Sequence, residues 1–151
     1  MFHIVLVEPE IPPNTGNVAR LCAANNLQLH LVKPLGFDID DRAVRRAGLD
    51  YWDQVKLSVH ENMDELWKTI DSRPVYFFTT KAQKTLFEAQ FERDSFLIFG
   101  KETTGLPEKF VLEHMSDCYR IPQVNPRVRS LNLSTAVGIV AYEAIRQLAI
   151  K

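Results

Sequence analysis

The sequence predicts an α/β protein with a mostly parallel sheet and helices on both faces. Short apolar, β-branched runs recur along the chain, and segments of helical periodicity stand between them. At 151 residues the chain has the length of one domain, so residues 1–151 are expected to form a single domain. Ligands of such sheets bind outside the carboxyl ends of the strands.

"HIVLV" (3–7) reads as a buried strand closed by Glu8 and Pro9. In "IPPNTGNVAR" the prolines are expected to hold off helix until about Asn14, after which Val18, Leu21, Cys22 and the alanines suit a helix ending near Asn25 and Asn26. "LQLHLV" (27–32) alternates with a period of two and is a second strand. Residues 38–48 suggest a short basic helix, and "MDELWKTI" (63–70) places Met63, Leu66, Trp67 and Ile70 at helical spacing for core contacts. "VYFFTT" (75–80) and "FLIF" (96–99) are the third and fourth strands, while 81–95 carries no readable period. "LPEKFVLEHM" (106–115) is helical with Pro107 in its first turn, and "CYRI" (118–121) makes a fifth strand. The last helix, about 132–150, sets Leu133, Val137, Val140, Ala144 and Leu148 on one face, and Ala136, Ile139 and Ile145 widen that face enough to suggest a dimer interface.

Composition narrows the function classes. With 46% hydrophobic and 25% charged residues the chain is an ordinary globular protein. Cys22 and Cys118 form no CxxC pair, and His3, His30, His60 and His114 show no ligand spacing, so reduced buried thiols and no metal are expected. The N-terminus lacks a signal-peptide pattern, and the longest apolar stretch falls short of the roughly 20 residues that span a bilayer; a cytoplasmic protein without membrane association is expected. A net charge of −1 gives no globally basic surface, although residues 119–151 carry a local excess of four positive charges.

"FLIFGKETTGLP" (96–107) looks at first like a phosphate loop after a strand. Walker A chemistry requires a glycine five positions before Gly100 and a hydroxyl after Lys101, where this chain has Ser95 and Glu102. GxGxxG and GxSxG patterns are absent as well. Gly100 and Gly105 permit close approach of backbone to a bulky ligand, with Glu102 as an acceptor for hydroxyl or amine groups; a plain strand, turn and helix start is the alternative.

Taken together, "NTGNVAR" (14–20), "FGKETTGLP" (99–107) and "RIPQVNPRVRSLNLSTAVGIVAYEA" (120–144) resemble, in order and spacing, the three motifs of the SPOUT class of RNA methyltransferases. "EPEIPPNTGN", "LHLVKPLGF" and "RAGLDYW" look like its small single-domain members that methylate the wobble-position ribose of tRNA. The resemblance implies a deep C-terminal trefoil knot, a homodimer whose active site is completed across the interface, and S-adenosyl-L-methionine as methyl donor. It also implies donor contacts at Phe78, Thr79, Gly100, Glu102, Gly105, Ile121, Ser130 and Leu131, with Ile121 and Leu131 about the adenine. Arg20, Asn14, Glu102 and Asn132 match the catalytic positions, although Asn14 and Asn132 also suit helix caps. Arg42, Arg45, Arg46, Arg127, Arg129 and Tyr142 are the expected contacts to the tRNA anticodon stem-loop, through phosphates in the case of the arginines. A non-catalytic RNA- or cofactor-binding protein with the same knot is the main rival, and a phosphotransferase built on "GKETTG" a more distant one.

Overall fold

The computed structural model describes residues 2–40, 42–47 and 49–149, with the side chains of 43, 45, 47, 49 and 50 outside the description. The strands are β1 (His3–Val7), β2 (Gln28–Val32), β3 (Lys56–His60), β4 (Val75–Phe78), β5 (Lys84–Thr85), β6 (Phe96–Phe99) and β7 (Cys118–Arg120). They form one sheet in the order β3-β2-β1-β6-β4-β7-β5, every pairing parallel. The helices are α1 (Pro12–Ala24), α2 (Arg42–Ala47), α3 (Met63–Ile70), α4 (Glu108–Glu113) and α5 (Leu133–Ala149).

Strand periodicity sends successive side chains to opposite faces, and both faces are buried, which is why β1 and β6 read as unbroken apolar runs. On one face Ile4, Leu6, Leu29, Leu31, Phe78, Leu97 and Phe99 pack with Val18, Ala19 and Cys22 of α1 and Val137, Val140, Ala141, Ala144 and Leu148 of α5. On the other, Val5, Val7, Val32, Phe77, Phe96 and Ile98 pack with Leu66 and Ile70 of α3 and Val111 of α4. Burial of its thiol pushes the Cys22 pKa up to about 12, so at neutral pH it is an apolar core group.

Four expectations need correction, one being that α4 is shorter than 106–115 and has Pro107 as its N-cap instead of in its first turn. Helix α1 begins at Pro12, with Ile11 as N-cap, because prolines in a first turn lack only N–H groups that would have no intrahelical acceptor there. Strands β3 and β5 were not expected: β3 is an edge strand with two exposed residues, and β5 has two residues in all. The unreadable segment after β4 contains β5 and a 3₁₀ turn, Leu86–Glu88, closed by reciprocal hydrogen bonds between Thr85 and Glu88. The basic helix is α2; Asp41 and Gly48 at its ends, like Ile150 after α5, lie outside the described residues.

The sheet also aligns three histidines that are far apart in sequence. Asp94 lies 2.8 Å from His3 Nε2, His3 Nδ1 lies 3.0 Å from His30 Nε2, and His30 Nδ1 lies 2.9 Å from His60 Nε2. With the Asp94 carboxylate as acceptor, His3 donates from Nε2, and each neutral ring then accepts from the next. Burial, followed by the nearby His3, His60 and Arg73, lowers the His30 pKa from 6.5 to about 3. Burial also lowers those of His3 and His60, against the opposing pull of Asp94 and Glu65 respectively. The folded chain therefore binds fewer protons than the unfolded one as pH falls through 6.5 towards 3, and stability falls with it. Each histidine neutral when folded and charged when unfolded contributes about 1.4 kcal/mol per pH unit. We expect the melting temperature to drop between pH 6.5 and 5, above the range where most carboxylates titrate. His30→Gln should flatten that slope in calorimetric scans; an equal slope in both proteins would assign the effect elsewhere.

Candidate active site

A cavity of about 570 Å³ opens at the carboxyl ends of β4, β6 and β7, where the sheet rule places a ligand. Its volume lies within the roughly 300–1,000 Å³ of small-molecule sites. Phe78, Thr79, Gly100, Glu102, Gly105, Ile121, Ser130 and Leu131 all line it, as do Asn14, Asn132 and Arg129.

Two glycines shape the loop after β6. A Cβ on Gly100 would stand 2.1 Å from Gly105 C and from Leu106 N, so the chain closes on itself only because Gly100 has no side chain. Gly105 has φ +68°, a left-handed conformation that glycine adopts without steric cost. Its N–H donates to the Lys101 carbonyl at 2.9 Å and closes the loop.

Glu102 is tied down more fully than its sequence position suggests. Its Oε1 accepts from the Glu10 N–H (2.8 Å), and its Oε2 accepts from the Ile11 N–H (2.6 Å) and from Asn14 Nδ2 (3.2 Å). The carboxylate thus sits at the N-terminus of α1, where backbone N–H groups and the helix dipole favour negative charge. It is an anchor between two distant loops, an acceptor engaged by N–H groups of its own chain. The link is doubled by Glu10, whose Oε1 accepts from the Thr103 hydroxyl at 2.6 Å. That bond holds the Glu10 carboxyl below its ordinary range.

Asn14 is the third position of α1 and not its cap. Buried at 6% exposure, it donates to Glu102 and accepts at Oδ1 from Asn132 Nδ2 at 3.0 Å. Asn132 does cap a helix: its Oδ1 accepts from the Thr135 N–H at 3.2 Å at the start of α5. One hydrogen-bonded chain therefore joins the α1 start, the β6 loop and the α5 start, fixing three walls of the cavity.

Arg20 lies apart from this group. It is exposed on α1, does not line the cavity, and its guanidinium stands 5.1 Å from the centroid of the Tyr51 ring. Arg129 reaches the rim, donating to the Thr103 carbonyl at 2.9 Å. Arg42, Arg46 and Arg127 are exposed away from the lining, and the side chain of Arg45 is outside the described residues. Tyr142 is 54% exposed on α5, its hydroxyl accepting from Asn25 Nδ2 at 3.4 Å. Ile11, Phe99, Gln123 and Ala136 line the cavity without having been named as site residues, although Phe99, Gln123 and Ala136 fall within the quoted motifs and Ile11 within "EPEIPPNTGN".

Among the described residues, no group of three or more His, Cys, Asp or Glu side chains could hold a metal ion. No described helix is long and apolar enough to cross a membrane. The lining suits an organic ligand with a flat apolar part: Ile121, Leu131 and Phe78 supply apolar surface, and the loop bounded by Gly100 and Gly105 supplies backbone polar groups.

The fold is that of a methyltransferase family: the chain belongs to the SpoU rRNA methylase family, whose model matches residues 1–142. It is 45% identical over 150 residues to a tRNA (cytidine(34)-2'-O)-methyltransferase of Saccharophagus degradans, covering 98% of this chain and 96% of that one. A solved structure described as giving insights into 2-OH methylation of C/U34 on tRNA superposes with TM-score 0.95 at 45% identity, covering 100% of this chain and 98% of that one. The SpoU methyltransferase AviRb of Streptomyces viridochromogenes, solved with AdoMet, shares the fold at TM-score 0.87 and 19% identity, over 100% of this chain and 61% of that one.

Proposed function

We infer that this protein transfers a methyl group to the ribose 2'-hydroxyl of the wobble nucleotide, cytidine or a modified uridine at position 34, in tRNA. The observation that carries this reading is the cavity at the carboxyl ends of β4, β6 and β7, whose walls are joined by the Asn132, Asn14 and Glu102 chain. S-adenosyl-L-methionine supplies an activated methyl group on a sulfonium sulfur. Of the residues that line the cavity, Ile121 and Leu131 would hold the adenine, and Phe78, Thr79, Gly100, Gly105 and Ser130 would border the rest of the donor. Glu102, Asn14 and Asn132 keep the walls in register, which maintains the alignment that methyl transfer demands.

Arg20 acts on the RNA side. A guanidinium stays protonated in proteins and offers five N–H donors and no acceptor. It therefore holds the phosphate beside the target ribose and stabilises the developing alkoxide, while that phosphate or a water takes the hydroxyl proton. Its place outside the lining of its own chain's cavity fits a homodimer in which Arg20 serves the partner's site. Ile139 (40% exposed) and the exposed ring of Tyr142 on α5 supply surface for that dimer. Arg42, Arg45, Arg46, Arg127 and Arg129 contact phosphates of the anticodon stem-loop, with Tyr142 beside them. We assign the whole chain to one domain with the knotted C-terminal path of its class, working in the cytoplasm.

The test is Arg20→Lys. We expect adenosylhomocysteine affinity to hold while turnover on tRNA falls by about 10²–10³-fold, the usual loss when a transition-state donor is removed. Near-normal turnover would contradict the assignment.

A further inference from the structure

Arg20 is a long, exposed side chain whose work depends on holding one orientation. Among the described residues, the contact made to its guanidinium is the ring of Tyr51, with Cζ 5.1 Å from the ring centroid. This is within the distance at which a cation is attracted to the face of an aromatic ring. The ring rests on a firm base. Tyr51 lies in a 3₁₀ turn, Leu49–Gln54, and the neighbouring Trp52 and Val55 are partly buried against the core. The Val55 N–H donates to the Trp52 carbonyl at 3.1 Å, which closes the turn.

The chemistry of this partner matters. A carboxylate beside Arg20 would occupy the N–H fork in bidentate pairing and cancel its charge. An aromatic face attracts the same cation through its quadrupole and uses none of the five N–H donors. All of them stay available to phosphate oxygens, and the charge that draws the RNA is preserved.

We propose that Tyr51 is a positioning residue for Arg20: its ring holds the guanidinium ready for the phosphate beside the target ribose. The proposal rests on the role given to Arg20 above. It requires the ring face and not the hydroxyl, because the contact is to the ring and no hydrogen bond joins the two residues among those described.

The experiment compares wild type, Tyr51→Phe, Tyr51→Leu, Arg20→Lys and the double variant Arg20→Lys/Tyr51→Leu, all in the full chain. Readouts are kcat and KM on unmodified tRNA, adenosylhomocysteine affinity, a thermal melt, and NMR shifts of the Arg20 side chain. We expect Tyr51→Phe to match wild type. Tyr51→Leu should retain its melt and adenosylhomocysteine affinity, lose about fivefold in kcat, as befits a half-exposed cation–π contact, and lose the ring-current shift of Arg20. In the Arg20→Lys background, removal of the ring should change kcat little.

Full activity in Tyr51→Leu, with wild type active and Arg20→Lys impaired, overturns this inference alone. An equal loss in Tyr51→Phe also overturns it, by placing the effect on the hydroxyl. An inactive wild type, or an unimpaired Arg20→Lys, overturns the functional reading beneath it. Should Tyr51→Leu fail to fold, the Arg20 shift in wild type and Tyr51→Phe decides: a ring-current shift in both supports the contact, and random-coil values in wild type exclude it.

Discussion

Gly100→Ala is expected to abolish S-adenosylmethionine binding while leaving the sheet intact. The added Cβ would lie 2.1 Å from two backbone atoms, Gly105 C and Leu106 N, and neither can swing aside as a side chain could. Only displacement of the whole loop over residues 101–106 relieves the overlap, and that loop forms one wall of the cavity. Misplacement by about 1 Å is enough to cost about 10²-fold in catalysis. We predict at least about that loss in adenosylhomocysteine affinity by calorimetry, with far-UV circular dichroism unchanged. Binding at wild-type strength would mean that the donor sits elsewhere.

Glu102→Gln should be nearly as damaging in turnover, though it alters a single atom type. Its two carboxylate oxygens accept from the Glu10 N–H on one side and from the Ile11 N–H and Asn14 Nδ2 on the other. A glutamine amide, whichever way it is turned, points its NH₂ at a donor. One N–H then loses its partner at a cost of about 1–3 kcal/mol, and the start of α1 separates from the β6 loop. If that cost falls on the aligned state, turnover drops about 10- to 100-fold. Its melting temperature should fall by roughly 2–4 °C per kcal/mol lost. Unchanged kinetics and melt would show that the anchor described here carries no energy.

Much of this arrangement was legible in the sequence, for reasons specific to each part. "HIVLV" and "FLIF" announce themselves because strands buried on both faces are apolar throughout, and "MDELWKTI" because its apolar residues repeat at helical spacing. The eight positions expected to contact the donor fall on the cavity because the carboxyl-end rule and the motif resemblance select the same loops. What escaped depends on long-range pairing. Strand β3 is partly polar because it lies at the sheet edge, and β5 is too short for a period. The bond partners of Glu102 lie 88 to 92 residues upstream and two of them are backbone N–H groups, invisible to any side-chain motif. The histidine line exists only once three strands are in register. Tyr51 was present in "RAGLDYW", but its meeting with Arg20 requires the 3₁₀ turn to fold against α1.

Incubation of the purified protein with S-adenosylmethionine and unmodified tRNA, followed by nuclease digestion and mass mapping, tests the central claim most directly. The account predicts a single added methyl group on the ribose of nucleotide 34, present with wild type and strongly reduced with Arg20→Lys. A methyl group on a base, on another nucleotide, or on none of the tRNAs from the source cells would contradict it.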